Sequence, residues 1–200
     1  MEYEATQEEI KRLLEMKGDV RGIVFKTDYL FVLDKFGEEG VKKVEQEIEK
    51  MGYSFSYKKN INSMDFYPIG LRAVSLLAIS KVFNFGKKEI EEMGKVAPKS
   101  SIMVKFFMRY FLSIKNIFDK AGEMWSKHYT VGELEAFDIN MDKKYAIMRI
   151  HDISLHHIFC DYLQGYFSSI IRMGIGEDII AERTKCIHRG DDYHEVVLRW

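Results

Sequence analysis

Residues 129–150 read Tyr129-Thr-Val-Gly-Glu-Leu-Glu-Ala-Phe-Asp-Ile-Asn140, then Met141-Asp-Lys143, then Lys144-Tyr-Ala-Ile-Met-Arg-Ile150. Both outer runs alternate polar with apolar, β-prone residues, the two-residue period of a strand with one wet face, and the short polar triplet between them signals a hairpin. Downstream, Ile179–Ile187 and Tyr193–Trp200 repeat the pattern around Arg189-Gly-Asp-Asp192, a tight-turn sequence. Between the two hairpins, Ser154–Met173 predicts a helix or helix pair stopped by Gly174 and Gly176. The C-terminal order is therefore β-β-α-β-β.

Upstream the period changes to that of helices. Residues 5–17 carry Ile10, Leu13 and Leu14 at helical spacing before Gly18, and Val20–Phe25 reads as a strand or entry segment. Residues 27–35 and 38–51 predict two helices, the second with Val41, Val44, Ile48 and Met51 in one stripe. Tyr53–Tyr57 alternates weakly before a turn at Asn60 and Asn62, and Ile69–Phe83 is apolar enough for a buried helix. Lys87–Met93 predicts a short helix closed by Gly94, and Ile102–Trp125 a central helix or pocket wall. The expected fold is α+β, with a helical N-terminal half (1–125) packed on one face of a C-terminal antiparallel sheet (126–200), all in one domain of residues 1–200.

Composition narrows the function classes. Thirty basic and thirty-one acidic residues leave a net charge of -1, which gives no footprint for nucleic acid or for an anionic membrane surface. Two Cys are too few for a disulfide framework. The charged, amphipathic start is unlike a signal peptide, and no apolar run of about twenty residues occurs, so a cytoplasmic location is expected. Eleven Met and fourteen Phe supply apolar volume that serves either a core or an irregular cavity.

The residues that carry chemistry are Cys160, Cys186 and His194. Thiolate and imidazole suit zinc, which takes four N, S or O ligands in a tetrahedron. Cys160 falls on the helix after the first hairpin, and Cys186 and His194 flank the last turn. A carboxylate of the first strand completes the set, with Glu135 as the candidate beside Glu133 and Asp138. By alternation, Glu133 and Glu135 share one face and Asp138 takes the other. The plainer alternative is a small buried thiol and a solvated imidazole.

The run Cys160-Asp-Tyr-Leu-Gln-Gly165, then Glu182-Arg-Thr-Lys-Cys186, then Gly190-Asp-Asp-Tyr-His194, resembles the vinyl-4-reductase-type domain. The resemblance covers roughly residues 120–200, and His194 stands where that family has a third Cys. It implies a structural zinc beside a pocket for an apolar or aromatic small molecule, in the manner of sensory modules that regulate transcription. Arg21-Gly-Ile-Val-Phe25 and Tyr67-Pro68 are also similar to the haem–nitric-oxide-binding fold, related in architecture. That family carries a proximal His on a helix and a Tyr-x-Ser-x-Arg motif. No such motif occurs here, and the six His are His128, His151, His156, His157, His188 and His194. A haem cofactor is therefore not expected from the sequence.

The expected pocket walls are Phe106, Tyr110, Phe111, Ile114 and Phe118, with Trp125 near the mouth, and the resemblance implies that Trp125 and His128 orient the ligand. Aromatics at helical spacing also make ordinary core. The resulting expectation is a sensor or regulatory protein rather than an enzyme, partnered by a small molecule and a downstream signalling protein, with a homodimer as a further expectation. The alternatives are a reductase acting on a vinyl group, for which no hydride-donor motif is present, a haem-type gas sensor, and a passive scaffold.

Overall fold

The computed structural model describes residues 2–100 and 114–200. Helix α1 (Gln7–Leu14) starts at a reciprocal cap, in which the Thr6 hydroxyl accepts from the Glu9 N–H and the Glu9 carboxylate accepts from the Thr6 N–H. Strand β1 (Asp19–Arg21) pairs antiparallel with β2 (Phe66–Pro68) as a small ribbon. Only the first part of the Val20–Phe25 segment is therefore strand; the rest opens α2 (Ile23–Lys50). The two helices expected at 27–35 and 38–51 are the two limbs of α2, joined at a kink where Gly37 takes φ 64°. The Tyr53–Tyr57 segment forms no strand.

Helix α3 (Ile69–Phe83) is buried at every position from Ile69 to Ser80, so it has no polar face. Helix α4 runs Lys87–Ser100, past the expected stop at Gly94. Gly94 marks a contact instead: a Cβ there would lie 2.1 Å from the carbonyl oxygen of Tyr162. Of the long segment expected at 102–125, the described part is two short helices, α5 (Ile114–Asp119) and α6 (Ala121–Ser126).

The sheet follows the expected order, β3 (Glu133–Asn140), β4 (Tyr145–His151), helix α7 (Ile158–Ile175), β5 (Ile180–Lys185) and β6 (His194–Arg199). Its strands lie antiparallel in the order β3-β4-β6-β5. Along β4, Ala146, Met148 and Ile150 are buried toward α7 while the alternate residues face outward. The fold class is α+β, as the periodicities indicate. Among the described residues, no helix is long and apolar enough to cross a membrane.

Strand β3 contains a bulge between Ala136 and Asp138. Glu133 pairs with His151, Glu135 with Arg149 and Asp138 with Ile147, which places all three acids on one face. Strict alternation put Asp138 on the opposite face; the extra residue, Phe137, reverses it. That shared face is the outer one, where Glu135 lies 3.2 Å from His151 and Asp138 accepts from the Tyr145 hydroxyl.

Candidate functional site

Tyr162, Leu163, Tyr166, Phe167 and Ile170 form one stripe along α7 and wall a cavity of about 140 Å³. Ile23, Val24 and Thr27 of α2 face them, with Met124 and Trp125 of α6, His128 and Tyr129 beyond it, and Leu134 and Met148 from the sheet. The lining is mostly apolar. An apolar cavity of roughly 150 Å³ takes a molecule the size of benzene.

The few polar groups in the walls have distinct states. The Trp125 indole N–H donates to the backbone carbonyls of Val131 and Gly132, both at 3.1 Å, and its ring stacks on Tyr129 at 4.2 Å. Its donor is thus spent on the backbone. His128 places Nδ1 2.8 Å from the Met124 carbonyl, which can only accept, so Nδ1 carries the proton and Nε2 keeps its lone pair. Burial holds the His128 pKa below its ordinary value and favours the neutral ring. The β1 ribbon fixes this corner: the Arg21 N–H donates to the His128 carbonyl at 2.8 Å, and the Arg21 side chain to the Lys127 carbonyl at 2.7 Å. Burial also pushes Tyr129 up to about 12 and raises Tyr162 and Tyr166 further, so all three stay protonated.

Behind Tyr162 lies a wholly buried ion pair between Arg72 of α3 and Asp28 of α2. The Arg72 guanidinium sits 4.3 Å from the centre of the Tyr162 ring, and the Ser75 hydroxyl donates to Asp28 at 3.2 Å. Removing two charges from water costs several kcal/mol each, so such a pair persists only where the surrounding packing holds it.

A second cluster lies at the N-terminal end of α7. The sulfurs of Cys160 and Cys186 are 3.9 Å apart, and the Cys160 sulfur is 3.6 Å from Nδ1 of His194. His194 Nε2 lies 3.2 Å from the Ile153 carbonyl, which assigns the proton to Nε2 and turns the Nδ1 lone pair toward sulfur. Ligand atoms of Cys160, His188 and His194 all fall within 4.8 Å of one another. Cys186 is pulled below its ordinary pKa by the hydrogen bond from the Cys160 thiol, helped by the His188 backbone N–H. Cys160 is pushed up by that same shared proton and by burial. Next to them, Asp161 accepts from the Tyr3 hydroxyl at 2.7 Å and faces Arg183 at 3.0 Å. Met148, Leu163 and Phe167 border both this cluster and the larger cavity.

The structure thus brings together Cys160, Cys186 and His194 and adds His188, which sequence spacing did not single out. Glu135 is not among them, because it faces outward from the opposite side of the sheet. Of the expected pocket walls, Trp125 and His128 line the cavity. Phe118 is buried but does not line it; its neighbour Ile117 does. Phe106, Tyr110 and Phe111, and the side chain of Ile114, lie outside the described residues. The α7 stripe from Tyr162 to Ile170 was missed, although its helical recurrence was readable.

No protein-family model matches the sequence, and no curated protein matches it. Solved structures do match in three dimensions. An H-NOX protein from S. oneidensis in the Fe(II) ligation state superposes with a TM-score of 0.68 at 12% identity, covering 90% of this chain and 95% of that one. An unliganded Fe(II) H-NOX protein mutant from K. algicida gives 0.62 at 14% identity over 90% and 95%. A structure described as probing heme distortion in the H-NOX family gives 0.62 at 17% identity over 90% and 94%. The fold is that of the H-NOX proteins.

This likeness bears out the relation to the haem–nitric-oxide-binding fold and gives no support to the vinyl-4-reductase assignment or to zinc. It also overturns the expectation against haem, which rested on missing sequence motifs, because the fold is shared with proteins described by their iron and heme states. The donor chemistry present fits a haem at one point, while the cavity of about 140 Å³ is several times smaller than a haem, so its walls would have to part to admit one. His128 lines the cavity, its Nδ1–H is fixed by a backbone carbonyl, and its Nε2 is left as a ligand atom, the arrangement in which metal-bound imidazoles are held.

Proposed function

We propose that this chain is a sensor of a gas or other small molecule, with the cavity between α7, α2 and the sheet as its ligand chamber and a haem held by His128 as its cofactor. When bound, haem supplies an iron that takes a diatomic gas. The protein's part is to keep the His128 ring neutral, hold its orientation through the Met124 carbonyl, and exclude water with the Tyr162–Ile170 stripe. The observation that carries the reading is the one imidazole among the described residues that line an otherwise largely apolar wall, in a fold shared with H-NOX proteins. The ligand state is then passed to a separate signalling protein through movement of α7.

Titration of the purified chain with hemin tests this. The expected result is a sharp Soret band that is lost in His128→Ala and restored by added imidazole, with unchanged far-ultraviolet circular dichroism. A wild-type spectrum indistinguishable from free hemin rejects the haem form of the proposal. A second reading is favoured by the cavity's size: about 140 Å³ accepts a small apolar molecule directly. In that case toluene raises the melting temperature while hemin does not bind.

A further inference from the structure

Arg72 of α3 is wholly buried and bonds the Asp28 carboxylate through Nη1 alone. Its other two nitrogens, Nε and Nη2, have no hydrogen-bond partner, and neither has Asp28 Oδ1. Nε–H and one N–H of Nη2 leave the same edge of the planar guanidinium, the fork that meets a carboxylate with two parallel bonds. Drawing Asp28 into a two-point pair with Nη1 and Nη2 would still leave Nε unpaired. Tyr162, whose ring centre lies 4.3 Å from the guanidinium, and Tyr129, which feels its charge, both line the ligand chamber. Among the described residues no charged side chain lines that chamber, and Thr27, Trp125 and His128 spend their donors on backbone carbonyls. Arg72 thus sets a full positive charge, with an unpaired donor edge, directly behind an apolar wall.

We infer that the chamber takes a small organic acid, with its apolar body against the α7 stripe and its carboxylate on the Nε–Nη2 edge of Arg72. This rests on the second reading of the chamber, in which a small molecule enters directly, and it names that molecule's class. The body matches a cavity that admits a molecule the size of benzene. The head gives the guanidinium the bidentate partner it lacks, while the Nη1 bond to Asp28 stays in place. Two carboxylates on one guanidinium would bury a net negative charge. Asp28 restores the balance by taking up a proton as the acid binds, since burial already pushes its carboxyl upward against the pull of Arg72. The titratable groups around it are Arg72, Tyr57 of the segment after α2, Tyr129, and Tyr162 of α7. Burial raises all three tyrosines, so they stay protonated and Asp28 is the group that titrates.

The test is calorimetry on the full chain with benzoate, its neutral isostere benzamide, and toluene. Benzoate is expected to bind about tenfold more tightly than benzamide, the margin of a charge-assisted fork over a neutral one. Toluene should displace it, and binding should take up about one proton, read from heats in buffers of different ionisation enthalpy. Asp28→Asn keeps the shape and removes the competing charge, so it should tighten benzoate and abolish the proton uptake while leaving toluene unchanged. Arg72→Lys keeps the charge and loses the fork, so it should erase the preference for benzoate over benzamide. In the wild type alone, toluene binding with benzoate no tighter than benzamide overturns the inference and leaves the chamber standing. Failure of all three to bind removes the chamber with it. Benzoate that toluene does not displace sits elsewhere and also overturns the inference.

Discussion

Two arginine–aspartate pairs packed beside the interior of helix α7 differ in burial. Behind its middle, Arg72 and Asp28 are wholly enclosed, their side chains 0% and 1% exposed. At its first turn, Asp161 is similarly covered but its partner Arg183 reaches the surface at 17% exposure, and Tyr3 supplies a further hydrogen bond. The first pair is held between two helices of the helical half and braces the Tyr162 face of the chamber. The second joins α7 to β5 beside the two cysteines. Where both charges are dry, the pair serves as a rigid support; where one charge keeps water, it can part at lower cost.

Removing one partner of the enclosed pair should have the largest effect. Arg72→Ala is expected to destabilise by about 3–5 kcal/mol, read from urea unfolding, because it strands the Asp28 charge. Burial already pushes the Asp28 carboxyl upward against the pull of Arg72. Asp161→Asn should cost less, about 2 kcal/mol, as a charged hydrogen-bond acceptor is lost beside a partner that water can reach. Equal losses at the two sites would dissolve the distinction.

Gly165→Ala falls in the same range, about 1–3 kcal/mol of overpacking, since its new methyl would meet the Glu91 carbonyl at 1.9 Å. A thermal melt checks it. His156, at the foot of α7, accepts from the Ile158 N–H through Nδ1, and its pKa is pulled down to about 4 by burial and then by His157. Its folded pKa lies below the unfolded value of about 6.5, so its share of stability is present above that pH and fades as pH falls toward 4. Denaturant midpoints measured from pH 7 to pH 4 should fall less steeply in His156→Asn. The smallest effect is expected at Thr6→Ala, about 1 kcal/mol, from loss of the α1 cap.

The sheet was legible because a two-residue period with one wet face leaves a plain trace in β3 and β4. The cysteine cluster was legible because Cys186 and His194 flank a turn whose sequence is itself a turn signal. Asp138 was misplaced because a bulge adds a residue without disturbing the composition around it. The chamber was harder to read, since Tyr162, Leu163 and Tyr166 recur as core residues do, and only the three-dimensional gap distinguishes them. The Trp125 role failed for a local reason: its N–H is satisfied by carbonyls six and seven residues ahead, which no spacing rule reveals. Haem was set aside on motifs that the fold does not require.

The glycine contacts between α4 and α7 carry a mechanical consequence. Gly94 abuts the Tyr162 carbonyl and Gly165 abuts the Glu91 carbonyl, so the two rods touch main chain to main chain at two places. With no side-chain cushion between them, neither can slide along the other without first lifting off. A displacement of either helix along its axis therefore meets the backbone of the other at both glycines.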